Sequence, residues 1–73
     1  MKKTEIEAMS KEELFLCILN METRLTNEMN SRGEFTKKSK KEFKWAIEQA
    51  VKVLNFDVEK FKSSPQLDFL WDE

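Results

Sequence analysis

The chain has 73 residues and a net charge of −1, with 37% charged side chains, one cysteine and no histidine. That inventory holds no zinc-type ligand set, no internal disulfide and no Cys–His or Ser–His pair for covalent catalysis, so an ordinary hydrolase is not expected. A domain this small buries only about 60–65% of the surface its unfolded chain exposes, which points to one helical domain over residues 1–73 that gains stability by association.

The opening residues, Met1-Lys2-Lys3-Thr4-Glu5-Ile6-Glu7, run from bases into acids rather than into an apolar core, unlike a secretory signal. No apolar stretch approaches the roughly eighteen residues a membrane span needs. A cytoplasmic protein with no membrane partner is the expectation. One glycine and one proline leave few places to turn, and alternating β-branched runs are nearly absent, so the fold class is all-α.

Ser10-Lys11-Glu12-Glu13 is a capping box flanked by the hydrophobic staple Met9 and Leu14, which starts a long helix at Lys11. Apolar residues at Leu14, Ile18, Met21, Leu25 and Met29 follow the 3–4 spacing of a buried stripe, and Gly33 closes the helix. Met21 and Met29 read as core filler. Every residue from Leu14 to Leu19 is apolar, more than one face can cover, so the surplus around Phe15 and Leu16 reads as a self-association or partner surface. Cys17 lies inside that run and reads as a buried, inert thiol.

A second helix begins at Thr36 or at Ser39, because Thr36 can cap it and Ser39-Lys40-Lys41-Glu42 repeats the capping-box pattern. Its apolar residues Phe43, Ile47, Ala50, Leu54, Val58 and Phe61 keep helical spacing across Asn55-Phe56-Asp57, where a break near Asn55 and a restart capped by Asp57 are expected. Pro65 can open a last helical turn bearing Leu67, Leu70 and Trp71. The short segment from Ser31 to Phe35 makes the long helices antiparallel neighbours, a hairpin with short elements at either end, associating into an oligomeric bundle.

Charge is unevenly spread: residues 34–55 carry +3 and residues 56–73 carry −3. Lys37, Lys38, Lys40, Lys41 and Lys44 crowd the start of the second helix, where the backbone already presents about +0.5 of an elementary charge and lysine forgoes about 0.3–1 kcal/mol of favourable interaction. Lys37, Lys41 and Lys44 share a face, and Trp45 stands beside Lys38 and Lys41. These six residues are the candidate contacts for an anion, a nucleotide or a nucleic acid, with phosphates meeting ammonium groups and a base stacking on the ring. Glu28, Glu34 or Glu48 could instead neutralise the lysines. No specific nucleic-acid motif accompanies them.

The acidic, aromatic end offers Leu67, Phe69, Leu70 and Trp71, either docked on the hairpin or presented to a partner or a neighbouring subunit. The pairs Glu12-Glu13 and Asp72-Glu73 diverge by about 100° on a helix and are not expected to act together as acid and base. In length and order of parts the chain is similar to the small all-helical modulators of bacterial nucleoid proteins, a likeness carried by the stretch from Phe61 to Trp71; no other expectation rests on it. Together these features describe a non-enzymatic, cofactor-free regulatory or adaptor protein that binds a macromolecular partner, first of all another protein. The alternative is a basic-patch binder of nucleic acid or a small phosphorylated ligand.

Overall fold

A computed structural model describes residues 2–61 and 65–70, with the side chains of Lys60, Pro65 and Gln66 outside that description. All regular structure among the described residues is helical: α1 (Lys3–Glu7), α2 (Lys11–Arg32), α3 (Lys37–Val53) and two 3₁₀ segments, Glu59–Phe61 and Pro65–Leu70. No helix among the described residues is long and apolar enough to cross a membrane.

Local signals set most boundaries. Ser10 Oγ accepts from the Glu13 amide at 3.2 Å, while the Glu13 carboxylate accepts from the Ser10 amide at 3.0 Å, closing the capping box that starts α2. Met9 packs on the core, of which fully buried Leu14 is part. At the other end Gly33 adopts φ 76°, and its amide donates to the Met29 carbonyl at 2.9 Å. That left-handed conformation ends the helix and suits glycine.

The break expected after α3 is present. Val53 is its last residue, and Asn55 takes φ 53°, a left-handed conformation that asparagine tolerates better than most residues. The Phe56 amide returns to the Ala50 carbonyl at 3.3 Å. Asp57 Oδ1 then accepts from the Glu59 amide at 2.9 Å, so Asp57 caps the restart, which is a 3₁₀ turn rather than a longer helix.

Both α1 and α2 pack against α3, as does the last 3₁₀ segment. The stripe Leu14, Ile18, Met21 and Leu25 is buried against Phe43, Ala46, Ile47 and Ala50, with Ile6 of α1 and Phe61 completing the core. α2 is about 33 Å long at 1.5 Å per residue, matching the 32 Å long dimension of the molecule. It therefore acts as the spine on which the other elements lie.

Phe43 is the hub of an aromatic cluster. Its ring centroid lies 6.1 Å from that of Phe61 and 6.3 Å from that of Phe69, and Phe69 meets Phe35 edge-on at 5.9 Å. The cluster joins α3, the loop before it and both 3₁₀ segments. Such edge-to-face pairs each contribute about 0.5–1.5 kcal/mol beyond area burial. Phe43→Ala is expected to cost about 3–5 kcal/mol and leave much of so small a domain unfolded. Gly33→Ala places its methyl group in open space but must hold φ 76°, and should cost about 1 kcal/mol. Thermal unfolding followed by circular dichroism measures both.

Candidate interaction surfaces

The start of α3 resolves the lysine problem first. Thr36 is the cap, with its Oγ1 accepting from the Ser39 amide at 3.2 Å. The second capping-box pattern, Ser39 to Glu42, is not used, because both of its side chains are engaged by α2. Ser39 Oγ donates to Glu28 Oε2 at 2.6 Å, and the Thr36 amide donates to Glu28 Oε1 at 3.2 Å. The Glu28 carboxylate thus sits on the positive end of α3 and supplies the anion its lysine-rich first turn lacks. The hydrogen bond from Ser39, aided by Thr36 and nearby arginines, holds the Glu28 carboxyl below its ordinary value.

One turn further on, Glu42 is buried and pairs with Arg24 Nη2 at 2.5 Å. Burial alone would push the Glu42 carboxyl up. The hydrogen-bonding and positive groups around it, Arg24 among them, outweigh burial and hold it below the ordinary carboxylate value. Arg24 is 43% exposed, so it reaches inward from the rim.

Lys37, Lys38 and Lys41 line a shallow depression of about 320 Å³ with Trp45 and Glu42. The Lys41 ammonium lies 5.3 Å from the Trp45 ring centroid, a cation–π contact that covers part of the half-buried indole. Lys37, Lys38, Lys40 and Lys41 form no salt bridge among the described residues. Lys40 is exposed, while Lys44 is half-buried and engaged elsewhere, so neither lines this depression. Four of the six candidate contacts are brought together and two are not.

Leu67, Phe69 and Leu70 are half-buried and pack on the core. Phe69, rather than Leu70, makes the aromatic contacts with Phe35 and Phe43. Trp71, the remaining candidate at that end, lies outside the described residues, as do Asp72 and Glu73. Glu12 stands exposed while Glu13 is held in the capping box by Ser10, whose hydrogen bonds lower its carboxyl from the ordinary value.

The run from Leu14 to Leu19 divides by helical angle. Leu14, Cys17 and Ile18 turn into the core, whereas Phe15, Leu16 and Leu19 remain 45%, 60% and 45% exposed. Phe15 and Leu16 were legible as surplus; Leu19 joins them because three and four residues on a helix return to one side. Burial pushes the Cys17 thiol up, as expected for a packed, unreactive cysteine.

No protein-family model matches the chain, and no curated protein or solved structure is significantly similar to it. Its surfaces must therefore be read from their own chemistry. Among the described residues no three His, Cys, Asp or Glu side chains gather as metal ligands. The carboxylates with displaced pKa values, Glu13, Glu28 and Glu42, are all held down by hydrogen bonds or charge.

The direction of those shifts sets the acid sensitivity of the fold. A carboxyl whose folded pKa lies below its unfolded value of 4.5 contributes stability above that pH, and the contribution is lost as pH falls through the folded value. The melting temperature should therefore be flat near neutrality and fall below about pH 4.5. Glu28→Gln should cost about 1 kcal/mol at pH 7 and reduce the acid-induced loss. Thermal melts of both proteins across pH measure the difference.

Proposed function

We propose that this is a non-enzymatic regulatory or adaptor protein of the cytoplasm that acts by docking, helix against helix, on another protein chain. The observation that carries this reading is the outward face of α2, where Phe15, Leu16 and Leu19 stand together in water. Large apolar side chains grouped on one exposed face are a mark of interaction surfaces, whereas scattered ones are ordinary. In helix-in-groove recognition such residues act as anchors at spacings of three and four.

The scaffold in this reading is an antiparallel hairpin of α2 and α3. Two cross-links support it: contacts step back along α2 from Glu28 to Arg24 as they step forward along α3 from Ser39 to Glu42. Function without turnover is supported by the titratable groups. The cysteine is buried with a raised pKa, and the carboxylates with displaced pKa values are engaged as caps or as half of an ion pair.

Leu16→Glu combined with Leu19→Glu tests the reading, since both side chains are largely exposed and the fold should survive. Cross-linking capture in an extract of the native host, followed by mass spectrometry, should recover a partner with the wild type and lose it with the variant. Recovery of the same proteins by both would overturn the assignment of this face.

A second reading has its own support in the depression formed by Lys37, Lys38, Lys41 and Trp45. It would bind a nucleic acid or a phosphorylated ligand, with Lys41 moving off the indole to admit a base. Fluorescence anisotropy with a single-stranded oligonucleotide should then show affinity falling with salt, with a slope of about −0.7 for each phosphate neutralised. Replacing the three lysines with Gln should abolish it. Absence of salt-sensitive binding by the wild type removes this reading.

A further inference from the structure

The exposed face of α2 continues beyond Leu19. Glu12, Leu16, Leu19, Thr23, Thr26 and Asn30 recur at alternating spacings of four and three, all exposed, and from Leu16 to Asn30 this line carries no charge. That is the 3.5-residue period of a helix–helix seam, lying across the helix from the stripe already buried against α3. The two threonines are prepared for burial: Thr23 Oγ1 donates to the Leu19 carbonyl at 3.2 Å and Thr26 Oγ1 to the Glu22 carbonyl at 3.0 Å. With both hydroxyls satisfied inside the helix, covering them strands no polar donor. Leu19, Glu22, Thr23, Thr26 and Asn27 enclose a shallow depression of about 330 Å³.

We infer that this face pairs with the same face of a second copy, α2 against α2 in an antiparallel two-fold arrangement that sets Leu16 opposite Thr26 of the partner subunit. The inference rests on the reading of α2 as a docking surface and names its occupant. A two-fold contact requires that if one residue meets another, the reverse also holds. Leu16 against Thr26 and Leu19 against Thr23 satisfy this in one register. Each layer then sets a large side chain against a small one, with leucines entering the depression between the threonines.

The flanks agree with that register. Glu12 falls opposite Asn30, whose amide can donate to the carboxylate, and Phe15 falls beside Met29. The antiparallel sense also opposes the helix dipoles. A parallel pair would stack Glu12 on its own copy. One residue opposes the pairing: Glu22, half-buried beside the seam, meets its own copy near the two-fold axis. The seam from Leu16 to Asn30 is about 21 Å long. A contact of that length lies near the roughly 1,000 Å² lower bound for a specific interface, so the dimer should dissociate on dilution.

Sedimentation of the full chain over a wide concentration range, together with disulfide trapping, tests the inference. In a Cys17→Ala background, Leu16→Cys and Thr26→Cys are made separately, then mixed and oxidised. The mixture should form a covalent dimer and neither variant alone should, because the two copies of residue 16 lie about 15 Å apart in this register, beyond the roughly 7 Å reach of a disulfide. Glu22→Gln should tighten the dimer several-fold by removing the like-charge pair. A protein that stays monomeric at every concentration overturns the pairing even where the partner capture described above succeeds. Cross-linking of Leu16→Cys with itself overturns the antiparallel register. The expected trapping pattern establishes the pairing even where that capture finds no other protein.

Discussion

The arrangement depends on a carboxylate from one helix seated on the positive end of another. Glu28, in the last two turns of α2, accepts from the Thr36 amide and the Ser39 hydroxyl and so caps α3 from outside its own sequence. A first turn containing only lysine charges would otherwise stand against the backbone dipole. The contact also fixes how the chain passes from Gly33 to Thr36, because an amide in the connection and a side chain in the helix share one acceptor group. One turn on, the ion pair between Arg24 and buried Glu42 repeats the link, and α3 is held against α2 by two polar ties beside its apolar stripe.

Holding α3 in this way decides what is left of α2. A helix has room for one neighbour on each side, and the stripe of Leu14, Ile18, Met21 and Leu25 is taken by α3. The opposite side has no cover among the described residues, yet it carries Phe15, Leu16 and Leu19 and then a line of threonine and asparagine. In a chain so rich in charge, an uncharged line of about 21 Å is a departure from its own average. Depletion of charge marks the cores of protein interfaces more reliably than apolar content does. Both the adaptor reading and the self-pairing follow from that side of α2. The lysines of α3 supply a separate, weaker surface in which Lys41 already covers part of the one available ring.

Much of the fold was legible because its signals are local. The Ser10 capping box, the Gly33 stop, the break near Asn55 and the Asp57 cap each depend on residues a few positions apart, and each is where the pattern places it. The fate of Ser39 and Glu42 was not legible. Their spacing satisfies the capping-box rule as well as Ser10 and Glu13 do, but a carboxylate and an arginine from α2 claim them. The same limit applies to the tail, where Phe69 docks through Phe35 and Phe43, residues far from it in sequence.

By itself the sequence determined that the fold is all-helical, where the first long helix starts and stops, that the second breaks near Asn55, which stripe of each is apolar, and that the run from Leu14 to Leu19 exceeds what one face can bury. Caps, breaks and periodicity act over one or two turns, so they are written in neighbouring residues. Tertiary structure alone decided that Glu28 answers the lysines of α3, that Glu42 is buried against Arg24, and that Phe15, Leu16 and Leu19 are the residues of the Leu14 to Leu19 run left outside. Those outcomes depend on which helix faces meet, a choice made by long-range packing and charge pairing that no local spacing records.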